Sequence, residues 1–566
     1  MTNDDRLRLA GALGLPWLFI WQGLDFTDQG YVLTGYRSFF RHPEVTADSG
    51  GLWLTNLIGA SWDAAFGSLG VVGMRALWAL CMSVGLLLAF RLARQLTNPS
   101  AAALGVFAAS LFLSNRRETW FSYNTSTSLL FAAATLCLVE GIARQSRRRL
   151  FAGGALLGVL PFARFPNILG LVLPVGLALA AWLDQERRPR LARDVGATLL
   201  GIVCGAGGVI ALIHVRGDAT LVATSIQDLF APSWQAAGYA PSALLDKFVS
   251  DQSNALGLGL GVCLAAAVLA RLLAKLPGSV AWAVAVACGA LAAFALSTNK
   301  DSWRFVVSGV AYWALGAVAF GMWRRSLALR VACGVSLLVL IVAPLGSNNG
   351  IRGAHMGMWL ALPLLLAVLY ALEDQWLNGQ GRRLALVVCL AVAGEGLYQT
   401  TTYTYRDAAR SRLRAPVAHA QLRWQYTTKE RAKVVEEVLS ALEQRVKPGD
   451  YLLAYEGTPL LQYLTRTRPY LNRPWLMGAE NGAVVAELAA QAPQRTGCLP
   501  VAVQSLKTTR SMAWPRAARS LEQKEPQRGT RKAIKAFLRQ HDYHQTWRNE
   551  FFSIWEPPAE KRTGCR

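Results

Sequence analysis

The chain has 566 residues, 53% hydrophobic and only 16% charged, and its apolar residues fall in long uninterrupted runs, which excludes an ordinary soluble enzyme and marks a polytopic membrane protein. A formal net charge of +23 would suggest nucleic acid in a soluble chain. Here much of the Arg lies in short loops between apolar runs, where it orients helices against an anionic cytoplasmic leaflet, so membrane lipids are expected as partners and nucleic acid is not.

In chain order, apolar blocks predict about 13 transmembrane helices: Leu9 to Leu24, Leu69 to Phe90, Ala101 to Leu113, Thr125 to Ile142, Leu150 to Phe162, Ile168 to Leu183, Val195 to Val215, Ala255 to Ala270, Val280 to Leu296, Phe305 to Trp323, Val331 to Leu345, Met356 to Leu372 and Leu384 to Leu397. No A-x-A cleavage site follows the first, which reads as a retained span. The third and fifth are short enough to be re-entrant. Basic clusters arbitrate. Arg91 with Arg94, Arg144 with Arg147 to Arg149, Arg187 to Arg193, Arg271 with Lys275, Arg324 to Arg330 and Arg382 with Arg383 all fall on one side if two crossings separate each from the next. With Arg6 and Arg8 also inside, an odd number of crossings leaves the tail outside. The stretch from Arg216 to Asn254 is too long for an ordinary connection, and with Trp234 and Tyr239 it reads either as a packed interfacial loop or as a substrate-binding one.

Near Thr400 the long apolar runs stop and charge density rises, dividing the chain into a membrane domain, 1–399, and a soluble domain, 400–566. Lys429 to Arg445 reads as an amphipathic helix with Val434, Val435, Val438, Leu439 and Leu442 on one face. Tyr451 to Tyr455 reads as a buried strand, Thr458-Pro459 as the start of a helix reaching Leu464, Leu499 to Val503 as a strand, Arg531 to Gln540 as a helix and Phe551 to Trp555 as a closing strand. This alternation predicts a small α/β fold on the outer side, and no Gly-rich nucleotide fingerprint accompanies it. Seven of the nine Cys fall in apolar spans; Cys498 and Cys565 lie in the tail, where an oxidising compartment would permit one disulfide.

The topology gathers polar residues on the outer face: Asp25, Asp28, Tyr36, Arg37 and Arg41; Arg116, Arg117, Glu118, Tyr123 and Asn124; Arg164; Lys300, Asp301 and Arg304; Asn348, Asn349, Arg352 and His355. Carboxylates suit a general base, and surplus Arg and Lys suit an anionic group such as phosphate. No Ser-His-Asp set and no His or Cys metal cluster can be drawn. Asp25 and Asp28, three apart, leave a divalent ion open without favouring one. An acid beside the lipid is costly without a wet cavity or a partner, so this pair is the leading functional candidate; the plainer reading is two acids solvated at a helix exit.

An acidic motif directly after the first span, Asp25-Phe-Thr-Asp28-Gln-Gly-Tyr31, then many further spans and an outer soluble domain, resembles the GT-C superfamily of integral-membrane glycosyltransferases, which includes lipid A aminoarabinose transferases and protein O-mannosyltransferases. Trp120-Phe-Ser-Tyr123-Asn124, the basic loop Arg144 to Arg149 and Leu160-Pro-Phe-Ala-Arg164-Phe-Pro-Asn167 are similar to segments of those bacterial proteins. Many members carry Asp-Glu where this chain has Asp28-Gln29, which leaves open which acid works; Asp28 is favoured. The resemblance implies an inverting enzyme of the bacterial cytoplasmic membrane, with no cofactor, that moves a sugar from a polyprenyl-phosphate donor to a hydroxyl of a glycan, lipid or protein acceptor. Asp28, or Asp25, would take the acceptor proton. Arg116, Arg117, Lys300, Arg304 and Arg352 would hold the donor phosphate, and Tyr36, Arg37, Tyr123, Asn124, Arg164, Asn348, Asn349 and His355 would contact substrate. The rival readings are a transporter or flippase for lipid-linked sugars, which would bury ionisable groups at the bilayer midplane, and a polysaccharide polymerase or ligase.

Overall fold

The structure, a computed structural model, describes residues 1–114, 118–176, 190–228, 240–298, 302–320, 327–345, 349–371, 379–476, 482–516, 528–561 and 565. The first part of the chain forms helices α1 (Asn3–Gly14), α2 (Asp28–Ser38), α3 (Trp53–Phe66), α4 (Gly70–Leu96), α5 (Pro99–Leu113), α6 (Tyr123–Ala143) and α7 (Arg147–Ala163). It continues with α8 (Leu191–Val215), α9 (Ala219–Asp228), α10 (Pro241–Leu273), α11 (Gly278–Thr298), α12 (Ser302–Ala319), α13 (Leu327–Val342), α14 (Met358–Ala371) and α15 (Gly381–Thr402). Among the described residues, six helices are long and apolar enough to cross a membrane, and up to seven if the bent pair Gly350–Met356 and Met358–Tyr370 is one span. Shorter apolar helices, including Pro99–Leu113 and Leu327–Val342, fill out the bundle.

Three local outcomes differ from the sequence pattern. The first apolar block is helical from Asn3, because Thr2 and Asp5 form a capping box there, and it tightens into a 3-10 turn at Leu15–Phe19, where Pro16 removes a donor. The connection after it is not a plain loop but carries α2 and α3. The described residues of the Arg216 to Asn254 stretch are largely helical: Pro241 opens α10, whose first turns precede the apolar run and pack back through Asp251, which accepts the Ile351 amide at 2.8 Å. Trp234 and Tyr239 lie outside the described residues.

Within the bundle α7 and α8 cross closely, since a Cβ on Gly154, Gly158, Gly201 or Gly205 would lie only 2.0–2.2 Å from the opposing backbone. Packing of this kind, rather than a hydrophobic drive, joins helices in lipid.

The tail adds β1 (Ala415–Pro416), β2 (Tyr426–Thr427), α16 (Lys429–Glu443), β3 (Tyr451–Tyr455), α17 (Pro459–Thr465), β4 (Arg468–Pro469), α18 (Gly482–Thr496), β5 (Val501–Ser505), α19 (Arg528–Gln540), β6 (His544–Arg548) and β7 (Phe552–Glu556). The main sheet runs β4-β3-β5-β7-β6, with β3 parallel to β4 and β5, and β7 antiparallel to β5 and β6. Successive residues alternate between faces. Leu452, Ala454, Val501, Val503 and Ile554 share one core with α16, α17 and the membrane helices, whereas Leu453, Tyr455 and Ala502 pack with Val485 of α18 and Phe537 of α19. The chain therefore passes over one face from β3 to β4 and over the other from β4 to β5, and in α/β sheets a reversal of this kind leaves a crevice at the carboxyl ends of the strands. Cys498 and Cys565 are disulfide-bonded.

Candidate functional site

The loop between α1 and α2 is held from both sides. From α4, the buried Arg75 donates to the carbonyls of Ile20 (3.3 Å), Gln22 (2.8 Å) and Gly23 (2.8 Å) and to Gln29 Oε1 (3.0 Å), using most of its donor fork on this one segment. From the tail, Asp407 accepts the Leu24 amide at 2.8 Å and the Thr427 hydroxyl at 2.7 Å, and pairs with Arg431 at 3.1 Å with both side chains fully buried. Arg431 in turn donates to the Arg406 carbonyl at 2.7 Å and the Trp514 carbonyl at 2.8 Å. Gly30 completes the docking: a Cβ there would lie 2.1 Å from the Leu460 amide nitrogen, while that amide donates to the Phe26 carbonyl at 3.0 Å.

The two acids on this loop differ in kind. Asp25 is 1% exposed and spends its carboxylate on the loop itself, accepting from the Thr27 amide (3.0 Å) and hydroxyl (2.7 Å) and the Gln29 amide (2.8 Å). Burial pushes its carboxyl above the usual range, against the pull of Arg406 and those hydrogen bonds. Asp28 opens α2 with its side chain 31% exposed, paired with Arg406 Nη2 at 2.8 Å and accepting from the Tyr405 hydroxyl. Arg406 also lies 3.6 Å from Asp25, so the positive charge between the acids is a guanidinium's. Among the described residues no group of three His, Cys, Asp or Glu is placed to hold a metal ion.

Around the pair stands an aromatic and cationic wall supplied by the tail. The Arg406 and Arg510 guanidinia lie 6.0 and 5.3 Å from the centre of the Trp475 ring, and that ring meets Tyr31 of α2 edge-on at 5.9 Å. Tyr405 packs on Trp120 at 5.4 Å. Arg406 Nη1, Arg510 Nη2 and Trp475 Nε1 are buried donors without a hydrogen-bond partner, a state that costs roughly 1–3 kcal/mol per group. On the membrane side a small slot is lined by Trp78, Met82, Leu113 and Trp359, with Glu118, Asn124, Thr125, Ser128 and His355 as its polar groups.

The residues predicted from sequence separate accordingly. Asp25 and Asp28 share the site, and Asn124 and His355 share the slot. Tyr36 is buried and donates to the Phe121 carbonyl at 3.0 Å. Arg37 donates to the Tyr463 carbonyl (2.5 Å) and Gln421 (3.1 Å), pairs with Asp63 at 3.4 Å and stacks 3.6 Å over Tyr463, tying α2 to the tail. Arg164 donates to the Ala343 carbonyl at 2.9 Å and the Leu345 carbonyl at 2.7 Å beyond the end of α13, with its guanidinium 5.6 Å from the Tyr123 ring. Asn349 and Arg352 belong to the turn leading to His355, whose Nδ1 is 2.8 Å from the Arg352 carbonyl oxygen; Arg304 lies in the first turn of α12. Arg116, Arg117, Lys300 and Asn348 lie outside the described residues. The sequence reading missed Tyr405, Arg406, Trp475 and Arg510. The one local signal was the run Tyr403-Thr-Tyr405-Arg406-Asp407 directly after the last span.

No family model matches the chain, and no curated protein is similar to it. Among solved structures it is similar to ArnT from Cupriavidus metallidurans in the apo state, at 13% identity over 98% of both chains with a TM-score of 0.43. It is also similar to the Archaeoglobus fulgidus oligosaccharyltransferase in the apo form, at 10% identity over 89% of this chain and 69% of that one with a TM-score of 0.46. The archaeal oligosaccharyltransferase AglB in complex with an inhibitory peptide and a dolichol-phosphate matches at 12% identity over the same shares with a TM-score of 0.43. Likenesses at this level decide nothing about chemistry, which stands on the side chains described above.

Proposed function

We propose that this chain is a membrane glycosyltransferase that moves a sugar from a polyprenyl-phosphate donor to an acceptor hydroxyl on the outer face of a bacterial cytoplasmic membrane, with Asp28 as the base. The carrying observation is Asp28 itself: a partly exposed carboxylate, held by Arg406 and Tyr405, where the loop after the first helix meets the carboxyl ends of the tail strands. Asp28 takes the proton of the acceptor hydroxyl, the hydroxyl oxygen bonds to the anomeric carbon, and the bond from that carbon to the lipid phosphate breaks with its electron pair leaving on the phosphate. One displacement inverts the anomeric centre. Lipid phosphate is a good leaving group, so one acid suffices where glycoside hydrolysis uses two. Arg304 and Arg352, with Arg116, Arg117 and Lys300, are the membrane-side candidates for the donor phosphate. The tail disulfide supports an oxidising outer compartment.

The test uses the full chain in lipid nanodiscs with polyprenyl-phosphate sugars and reads release of free polyprenyl phosphate that depends on acceptor. Asp28→Asn is expected to lower the rate by about 10² to 10⁴-fold, the usual worth of a general base. Transfer by Asp28→Asn at the unmodified rate would remove the proposed base.

A further inference from the structure

We infer that the crevice at the carboxyl ends of β3 and β5 is an oxyanion-binding subsite built by the tail, with Arg510 and Trp475 as its dedicated donors and Arg406 shared with Asp28, and that it takes the phosphate-class anion of one of the substrates. The subsite deepens the transferase reading and rests on it for which molecule carries the anion, not for the anion itself.

The placement comes from the strand ends. Glu456, Gly457 and Thr458 leave β3, and Thr509 and Arg510 follow β5, the two stretches being joined by the Thr509 hydroxyl donating to the Gly457 carbonyl at 3.1 Å. A Cβ on Gly457 would come within 3.1 Å of Thr27, between the two acids. The carboxyl ends of β3 and β5 thus lie against the loop that carries Asp28.

The chemistry comes from the unmet hydrogen bonds. Arg510 and Trp475 each keep a buried donor without a partner, Arg406 Nη1 meets only Asp25 at 3.6 Å, beyond hydrogen-bond reach, and both guanidinia lie against the one indole ring. Two like charges gathered beside each other with unspent donors are complementary to a multidentate anion; planar guanidinia grip phosphate or carboxylate through paired N–H groups. Asp28 and Asp25 neutralise Arg406 directly, as ion pairs, whereas Arg510 feels Asp28, Asp25 and Glu456 only through space, with none of them within ion-pair distance. Glu456, held by Arg531 at 2.7 Å, keeps its second oxygen buried and unpaired at the same strand end, an acceptor for a hydroxyl beside the anion. Anion and hydroxyl side by side are the pattern of a phosphorylated sugar or of a sugar-phosphate diester.

Binding to the full chain in nanodiscs tests this without turnover, with two probes: a short-chain polyprenyl phosphate, and a soluble hexose phosphate lacking a prenyl chain. Arg510→Gln is expected to weaken at least one probe tenfold or more, Arg510→Lys less, and Trp475→Phe, which keeps the ring and removes the N–H, about threefold. Loss confined to the polyprenyl phosphate assigns the anion to the donor; loss for the hexose phosphate assigns it to the acceptor side. If Arg510→Gln and Trp475→Phe, each melting at the temperature of the unmodified chain, bind both probes with unchanged affinity, the subsite is wrong. A chain that binds through Arg510 yet transfers no sugar would keep the subsite and overturn the transferase reading, and active transfer with affinities indifferent to both substitutions would do the reverse.

Discussion

A base must reach the hydroxyl it deprotonates, and of the two acids in the first connection only Asp28 keeps part of its carboxylate open. Asp25 instead organises the turn that presents Asp28, since its oxygens are spent on the Thr27 and Gln29 amides. The two substitutions should therefore part: Asp28→Asn loses transfer, while Asp25→Asn retains measurable transfer with altered stability, read by product release and thermal unfolding. The stability change carries a pH sign. Burial raises the Asp25 carboxyl in the fold above its unfolded value, so the folded chain holds that proton more tightly than the unfolded one, and stability is lost as pH rises from the ordinary carboxylate range through the raised value. Asn has no such proton. The melting temperature of Asp25→Asn minus that of the unmodified chain should accordingly be more positive at pH 7 than at pH 4; a difference that is flat or falls with pH would contradict a buried, raised acid. Asp28 was legible in the sequence because an acid after an apolar run needs a reason. The roles of Arg37 and Arg164 were not, because a sequence shows that an Arg is present and not whether its acceptors lie within the protein, as the carbonyls of Tyr463 and Ala343 do.

At the scale of elements, the site exists because α2 and α17 meet without side chains between them. Gly30 allows it: the Leu460 backbone occupies the volume a Cβ would need, at 2.1 Å from the nitrogen and 2.5 Å from Cα. Gly30→Ala must push α17 away from the acid loop, and overpacking of this sort costs typically about 1–3 kcal/mol. Faster amide exchange at Leu460 and Leu461 and reduced transfer are expected, whereas Gly14→Ala, where a Cβ meets nothing within 4 Å, should leave both alone. Equal behaviour of the two variants would mean that the contact does not position the site. The tail elements were largely readable, since Tyr451–Tyr455 and Phe552–Glu556 are short buried strands and Lys429–Glu443 buries Val434, Val435, Val438 and Leu439 on one face. β6, with its mostly exposed or half-exposed residues, gave no apolar pattern to read. The pairing of Tyr405 with Asp28 spans 377 residues, and no local periodicity encodes a contact of that range.

For the whole molecule, composition was enough to indicate a mostly helical membrane protein ending in an α/β sheet domain, whereas apolar runs do not show helix length or bending: among the described residues six to seven long apolar helices are accompanied by short and bent ones. The side on which the tail lies is a testable consequence of the charge pattern. Charge parity predicts a tail on the outer side, opposite the Arg-rich loops, and the Cys498–Cys565 disulfide fits an oxidising compartment, disulfides being rare in the cytosol. The bond closes a loop of 67 residues that contains β5, α19, β6 and β7, so reducing it should destabilise the tail by about 2–4 kcal/mol, mainly through the unfolded state. Labelling of the same pair then reads the side of the membrane. In intact spheroplasts a membrane-impermeant maleimide should modify Cys498 and Cys565 only after mild reduction, without permeabilising the membrane, while the free Cys81, Cys333 and Cys389, buried in the bundle, stay unmodified. If modification of the pair instead requires permeabilisation, the tail lies inside, Asp28 goes with it because Leu460 and Phe26 are bonded across the junction, and transfer at the outer leaflet fails along with the assignment of the tail.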